Sequence, residues 1–287
     1  MERRAFRAMG TDVELLLDAP PGVETFLTLA AAEQEMSRLE GIFSRFREDS
    51  ELSSLNRAGS LHAGPELVQV TQLAVEARLR TDGRFDPTVH DALVAAGYDR
   101  SFEQLHGRIA TTTAPPLCGG RIAFDPLTGL IELEPGFRLD LGGIAKGYAV
   151  DRLCDMLAAV GPCLVDAGGD IAVRGGSWPV GVETADGMLT LQLTGGAVAT
   201  SGIDRRSWSS DVGRGHHVID PATGRPAERD LLRVTVVADS AAEAEVLAKS
   251  LYLAGSAQAT READHLGTPT VLVTRDGRTA LAGGLSS

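Results

Sequence analysis

Leu139 to Asp151, reading LDLGGIAKGYAVD, constrains the chain more than any other stretch. Apolar and acidic residues alternate through Leu139-Asp140-Leu141, the pattern of a strand end. Gly142 and Gly143 follow, and from Ile144 to Leu157 apolar residues recur at helical spacing through Tyr148, Val150 and Leu153. A strand, a glycine turn and a helix start leave backbone N–H groups aimed at whatever lies above the turn. Paired glycines also let a ligand come close, since no Cβ intervenes. Asp140 before the turn and Lys146 after it add one charge of each sign. The outline is that of a small-molecule site for an anionic or metal-bridged group such as a pyrophosphate. Neither G-x-x-x-x-G-K-[ST] nor G-x-G-x-x-G occurs there, so an ordinary strand–helix joint with a solvated lysine is the competing reading.

The flanking chain reads as hairpins with a few long helices inserted. Thr11 to Leu17 is a first strand, and Glu24 to Phe46 a long helix with Leu27, Ala30, Ala31, Gln34, Leu39, Ile42 and Phe43 on one face. Ser50 caps a short helical turn, and Gly64 to Thr81 forms a second helix. Gly83 to Val89, GRFDPTV, makes a rigid loop in which Asp86 serves either a ligand or its own backbone as an N-cap. Turns fall at Pro115-Pro116 and Gly119-Gly120, and a hairpin at Arg121–Phe124 and Gly129–Leu133. A strand from Cys163 to Asp166 ends in a second Gly-Gly-Asp, Gly168-Gly169-Asp170. Alternating residues from Trp178 to Leu193 give antiparallel strands, and Ala197 to Gly202 a further one. His216 and His217 share a short strand with Asp220, Val234 to Ala238 is a strand, and Ser240 caps a helix from Ala241 to Ala254. Thr270–Thr274 and Thr279–Leu281 close the chain as a hairpin over Asp276-Gly277. The class expected is α+β with antiparallel sheets, in a single domain over residues 1–287.

Composition excludes several functions. A net charge of -12 argues against nucleic acid and anionic membrane surfaces. Cys118, Cys154 and Cys163 lack metal-ligand spacing and read as reduced thiols. The N-terminal stretch has no apolar run beyond Leu15–Leu17, so neither a secretory signal nor a membrane span is read, and a cytoplasmic location is expected.

Taken together the segments resemble one family, the FAD:protein FMN transferases, or ApbE family. The resemblance rests on Met9-Gly10-Thr11, FSRFREDSELSSLN (Phe43–Asn56), GRFDPTV, LDLGGIAKGYAVD, LVDAGGDI (Leu164–Ile171), ATSG (Ala199–Gly202), HHVIDPATGRP (His216–Pro226) and TVVADSAAEAEVLAKSLYLAG (Thr235–Gly255). These run in the family's order along nearly the whole chain.

The resemblance implies an α+β fold with an FAD cleft. It implies cleavage of FAD at its pyrophosphate, attachment of FMN through a phosphoester to a threonine of a target flavoprotein, and release of AMP. It implies magnesium as well, and acceptors that are membrane-associated electron-transfer or reductase subunits. Met9, Phe46, Arg84, Phe85, Asp86, Asp140, Lys146 and Ile219 would line the FAD site. Gly143, Glu245 and Ala248 would serve the metal, and His217 beside Asp220 would act as general base, with Lys146 on a phosphate oxygen. A structural hydrogen bond is the alternative for His217.

One departure stands out. Where the family's metal helix carries aspartate and threonine, this chain has Glu245 and Lys249. Glu245 remains a hard oxygen donor, but a protonated lysine cannot ligate magnesium. Lys249 either supplies charge near the metal position, or turns to solvent and leaves a coordination site to water; it can also pair with Glu245 four residues away. Hydrolysis of FAD to FMN and AMP, a flavin-binding protein without catalysis, and a nucleotide-binding enzyme without flavin remain as alternatives.

Overall fold

The computed structural model describes residues 1–105, 116–210 and 213–285, so Pro115 of the Pro115-Pro116 turn lies outside the described residues. In chain order the elements are β1 (Glu2–Ala8), β2 (Thr11–Leu17), α1 (Val23–Phe43), α2 (Glu51–Ala58), β3 (Ser60–His62), α3 (Pro65–Arg80) and α4 (His90–Ala95). Then come β4 (Ile122–Asp125), β5 (Leu130–Leu133), α5 (Ala145–Ala158), β6 (Cys163–Ala167), β7 (Asp170–Glu183), β8 (Met188–Gly202), β9 (Ser207–Ser210) and β10 (Gly213–His216). The last are β11 (Ile219–Asp220), β12 (Arg225–Pro226), β13 (Leu231–Ala238), α6 (Ala241–Ala254), α7 (Ser256–Leu266), β14 (Thr270–Thr274) and β15 (Thr279–Ala282).

The chain divides into two compact units. Unit 1 comprises Met1–Leu39, Ile144–Ser201 and Arg229–Ser287; unit 2 comprises Glu40–Gly143 and Gly202–Glu228. Unit 1 is built on an eight-stranded sheet in the order β1-β2-β6-β7-β8-β13-β14-β15. The pairs β1/β2, β2/β6, β6/β7, β7/β8, β13/β14 and β14/β15 are antiparallel. Helix α5 packs on β6 and β7, and α6 on β13 and on α5. Alternation along β2 explains its place: Val13, Leu15 and Leu17 are all buried while Asp12 is exposed. Unit 2 holds α2, α3, α4, a three-stranded sheet in the order β3-β5-β4, and the hairpins β9/β10 and β11/β12. One core cluster of unit 2 gathers Ala92, Leu93, Ala96, Tyr98, Trp208 and Ile219. No helix among the described residues is long and apolar enough to cross a membrane.

The α+β class with antiparallel sheets stands, and the structure corrects details within it. Leu139–Leu141 is not a strand end. Both leucines are buried, but the Leu139 backbone bonds to the Asn56 side chain and not to a neighbouring strand. Helix α1 buries Thr25, Leu29, Ala32, Met36 and Leu39, whereas Leu27, Ala31 and Gln34 face outward. The expected face holds at Leu39, Ile42 and Phe43, all buried, and is out of phase only in the first half of the helix, where alanines fit either face. Thr11–Leu17 is preceded by β1, with which it forms a hairpin across Met9 and Gly10 at φ 50° and 67°. Helix α7 escaped sequence reading because its buried positions are only Ala259 and Ala263.

Candidate functional site

Within unit 1, the closest approach of α5 to α6 is fixed by a missing side chain. A Cβ on Gly147 would stand 2.5 Å from the backbone carbon and oxygen of Ala241. This contact lets Gly147 N donate to Glu245 Oε2 at 3.1 Å and Lys146 Nζ donate to Glu245 Oε1 at 2.5 Å. Lys146 also donates to Asp170 Oδ2. Asp170 is delivered by the β6/β7 hairpin, where Ala167 pairs with Asp170 across Gly168 and Gly169 at φ 67° and 97°. Positive φ at both loop positions is the geometry of a type I′ turn, for which glycine is suited. The Lys146, Asp170 and Glu245 side chains are 16%, 5% and 6% exposed. One ammonium thus serves two buried carboxylates.

The start of α6 is satisfied by the chain itself. Ser240 Oγ accepts from Glu243 N at 3.2 Å, and the Asp151 carboxylate accepts from Ala241 N and Ala242 N at 2.8 and 3.0 Å. Burial pushes the Asp151 carboxyl above its ordinary range, opposed by those two donors. The last residue of LDLGGIAKGYAVD is therefore a helix cap. Ala248 is buried on α6, and Lys249 is half-buried one turn after Glu245.

No cluster of three or more His, Cys, Asp or Glu side chains suited to a metal occurs among the described residues. Asp170 and Glu245 are hard oxygen donors of the kind magnesium takes. With the Lys146 ammonium bonded to both, however, they do not fit a divalent ion as arranged; the ion would first have to displace the lysine.

Within unit 2, the segment leading to Gly142 is pinned from several sides. Asn56 receives Leu139 N at 2.7 Å on its Oδ1 and donates to Leu139 O at 2.8 Å. Asp140 N donates to Pro87 O at 2.8 Å, tying the segment to the GRFDPTV loop. Asp140 Oδ1 accepts from Gly142 N at 2.8 Å, and Oδ2 lies 2.6 Å from Arg45 Nε. Gly143 follows, buried, in the turn that enters α5.

The Arg45 guanidinium lies 4.1 Å from the ring centre of Phe46 and 4.6 Å from that of Tyr98. Tyr98 packs at 5.5 Å against Phe46 and at 5.4 Å against Trp208, whose indole donates to Ala96 O at 3.0 Å. Phe46 is 40% exposed, so an aromatic surface faces outward here. Burial raises the Tyr98 phenol above its usual range. Ile219 lies buried in this core cluster.

Asp86 faces inward. Its Oδ1 accepts from Thr88 N and Thr88 Oγ1 at 2.8 and 2.7 Å, and its Oδ2 lies 3.6 Å from Arg78 Nε. It caps its own turn, since α4 begins only at His90 behind Val89. Phe85 is buried and Arg84 half-buried in the same loop. His217 Nδ1 lies 3.3 Å from the Arg206 carbonyl, which only accepts, so Nδ1 carries a proton, and in the neutral ring the lone pair is then on Nε2. Asp220 Oδ1 accepts from Ala222 N at 3.0 Å. Met9, half-buried, holds its positive φ at the β1/β2 turn in unit 1. Sequence reading missed Arg45, Asn56 and Tyr98 as parts of the site. The first two lie inside FSRFREDSELSSLN, and only their contacts with Leu139 and Asp140 single them out.

Comparison with known proteins bears on this geometry. The sequence model of the ApbE family matches residues 9–272. An FAD:protein FMN transferase of Treponema pallidum is 28% identical over 280 residues, covering 82% of this chain and 73% of that one. Another, from Rhodobacter capsulatus, is 32% identical over 273 residues, covering 86% of this chain and 52% of its relative. Among solved structures, the ApbE protein of Thermotoga maritima superposes with a TM-score of 0.87 at 27% identity, over 98% of this chain and 96% of that one. The apo flavinyl transferase ApbE of Pseudomonas stutzeri, at 24% identity and a TM-score of 0.84 over 98% and 94% of the two chains, shares the fold.

Proposed function

The chain belongs to the ApbE family, and from that premise we propose that it transfers the FMN half of FAD to a threonine hydroxyl of an acceptor flavoprotein, releasing AMP. The observation that carries this reading is the buried Lys146–Asp170–Glu245 cluster, whose lysine lies in the segment that follows Gly142-Gly143. To meet a diphosphate the Lys146 ammonium would exchange a carboxylate partner for a phosphate oxygen.

In the reaction, threonine Oγ forms a bond to the phosphorus of the FMN half. The bridging P–O bond breaks, and AMP leaves with the bridging oxygen. Transfer of this kind depends mainly on alignment and on neutralising charge at the phosphate oxygens. Lys146 supplies that positive charge, and Asp170 and Glu245 hold it ready. His217 Nε2 is the acceptor for the threonine proton, its tautomer set by the Arg206 carbonyl. His217 does not share a strand with Asp220 as expected: it lies between β10 and β11, and Asp220, at the end of β11, caps its own turn through Ala222 N. Phe46, the buried Phe85 and Asp140 are the flavin-binding residues of this reading, together with Met9, Arg84, Asp86 and Ile219.

Magnesium, when bound, would neutralise phosphate charge in the same way, with Glu245, Ala248 and Gly143 as the residues the resemblance assigns to it. Since the carboxylates as arranged are engaged by Lys146, no step above depends on that ion. The acceptor is a flavoprotein domain presenting a threonine. We place the reaction in the cytoplasm, the setting expected for cysteines read as reduced thiols; Cys154 and Cys163 lie in a thiol hydrogen-bond contact at 3.6 Å.

The test is incubation with FAD and a threonine-bearing acceptor domain, followed by mass spectrometry. An acceptor heavier by one FMN phosphoester, with equimolar AMP, is the expected result. AMP and free FMN in the absence of acceptor would mark a hydrolase instead, and intact FAD in every condition would leave a binding protein.

A further inference from the structure

Arg45 belongs to no role assigned so far, yet it is the most enclosed charged side chain beside the outward-facing aromatic surface of unit 2. It is 6% exposed, and its Nη2 has no hydrogen-bond partner among the described residues. A buried guanidinium N–H left unsatisfied at Nη2 is unfavourable, so the contacts that the rest of the side chain makes must offset that cost. Three contacts hold it: Nε on the Asp140 carboxylate at 2.6 Å, and the guanidinium carbon against the neighbouring Phe46 and Tyr98 rings at 4.1 and 4.6 Å. Each partner is fixed elsewhere. Asp140 is tied through its backbone to Pro87 and through its carboxylate to Gly142 N, and Tyr98 rests on Trp208. Phe46 is the exception: exposed to 40%, it has Arg45 over its ring and Tyr98 tilted beside it at 57°. Without Arg45 the orientation of this ring has little to define it.

We propose that Arg45 is a positioning residue for the flavin: it sets the Phe46 ring and the Asp140 carboxylate in one fixed relation without touching the ligand. The inference rests on the flavin reading above. A planar guanidinium does this where an ammonium would not, because its delocalised charge can lie against two adjoining rings while its Nε–H pairs with a carboxylate. The ligand chemistry that matches is a flat heteroaromatic ring able to lie on Phe46 and to meet a carboxylate acceptor at its edge. An isoalloxazine has both features.

The experiment is a double-mutant cycle on FAD binding, with Arg45→Met, Phe46→Leu and the pair, alongside Arg45→Lys. The dissociation constant and the visible difference spectrum are both read, well below each variant's melting temperature. Arg45→Met is expected to weaken FAD binding about tenfold, since the ligand must then immobilise the Phe46 ring at a cost of up to about 1.5 kcal/mol, and to diminish the spectral shift. In the Phe46→Leu background the same change is expected to weaken binding by no more than about twofold, since Arg45 acts through that ring. Arg45→Lys, which keeps the charge but not the plane, is expected to recover part of the affinity and little of the spectral shift. Effects that simply multiply would overturn the proposal, as would an Arg45→Met protein that binds FAD like the parent. A parent protein that binds no FAD would overturn the flavin reading and this proposal with it, so the two failures are distinct.

Discussion

Replacing Lys146 by methionine tests the charge cluster directly. The change keeps the side chain's length and removes its charge, leaving the Asp170 and Glu245 carboxylates, 5% and 6% exposed, without their shared cation. Two oxygens that both bond one nitrogen lie within about 5–6 Å of each other. At an effective dielectric constant near 20, two like charges at that separation repel by about 3 kcal/mol. Removing one partner from a buried ion pair destabilises by about 3–5 kcal/mol, which agrees with that figure. At roughly 2–4 °C per kcal/mol for a folded body of this size, the melting temperature should fall by about 6–20 °C. Urea unfolding followed by circular dichroism would report the same loss as a lower midpoint with an unchanged slope. Lys146→Met/Glu245→Gln, in which only one charge remains, should regain about 2 kcal/mol or more. A Lys146→Met protein within about 1 kcal/mol of the parent would refute the reasoning, as would a double variant less stable than the single one.

Three further outcomes follow from the same geometry. Gly147→Ala should destabilise by about 1–3 kcal/mol in chemical denaturation, even though alanine is the better helix former by about 1 kcal/mol, because the new methyl meets the backbone of Ala241 and Ala242 at 2.5 Å. Lys146→Met, by freeing two carboxylates, should bind manganese at least about tenfold more tightly than the parent, read by the ion's paramagnetic resonance without any turnover. In unit 2, burial lowers the proton affinity of His90, more than its bond to Asp91 and the charge of Asp140 raise it. The unfolded imidazole, with its ordinary value of 6.5, therefore takes up a proton before the folded one. Stability contributed at this position is present above that pH and is lost as pH falls below it, by at most about 1.4 kcal/mol per pH unit. His90→Gln should flatten the stability profile between neutral pH and about pH 5 relative to the parent, which paired melts across that range would show.

The chain carried much of this in plain view. Ser50 and Ser240 announce their helices as caps and do cap them. The hairpins at Gly168-Gly169 and Asp276-Gly277 follow from residues that accept or favour tight turns. Less was visible where a side chain takes over the work of a backbone. Leu139-Asp140-Leu141 alternates like a strand, but its pairing partner is Asn56, whose amide satisfies both backbone groups of Leu139 from 83 residues away. The strand β7, similarly, runs on through Gly175 and Gly176 at positive φ, with a register shift between Arg174 and Trp178 that no periodicity reveals. In the site, Lys146 and Glu245 were legible as charges on their motifs, but their meeting depends on Gly147 letting two helices touch. Arg45 gave no signal of its own, since an arginine between a serine and a phenylalanine in a polar loop reads as solvated.

The central claim is best tested by following FAD, AMP and acceptor together in a single incubation. The protein is mixed with FAD and an acceptor domain bearing a target threonine, and with the same domain carrying valine at that position. Equimolar AMP and FMN-bearing acceptor with threonine, and neither with valine, is the expected result. AMP formed at equal rates with both domains, or FAD left intact with both, would contradict it.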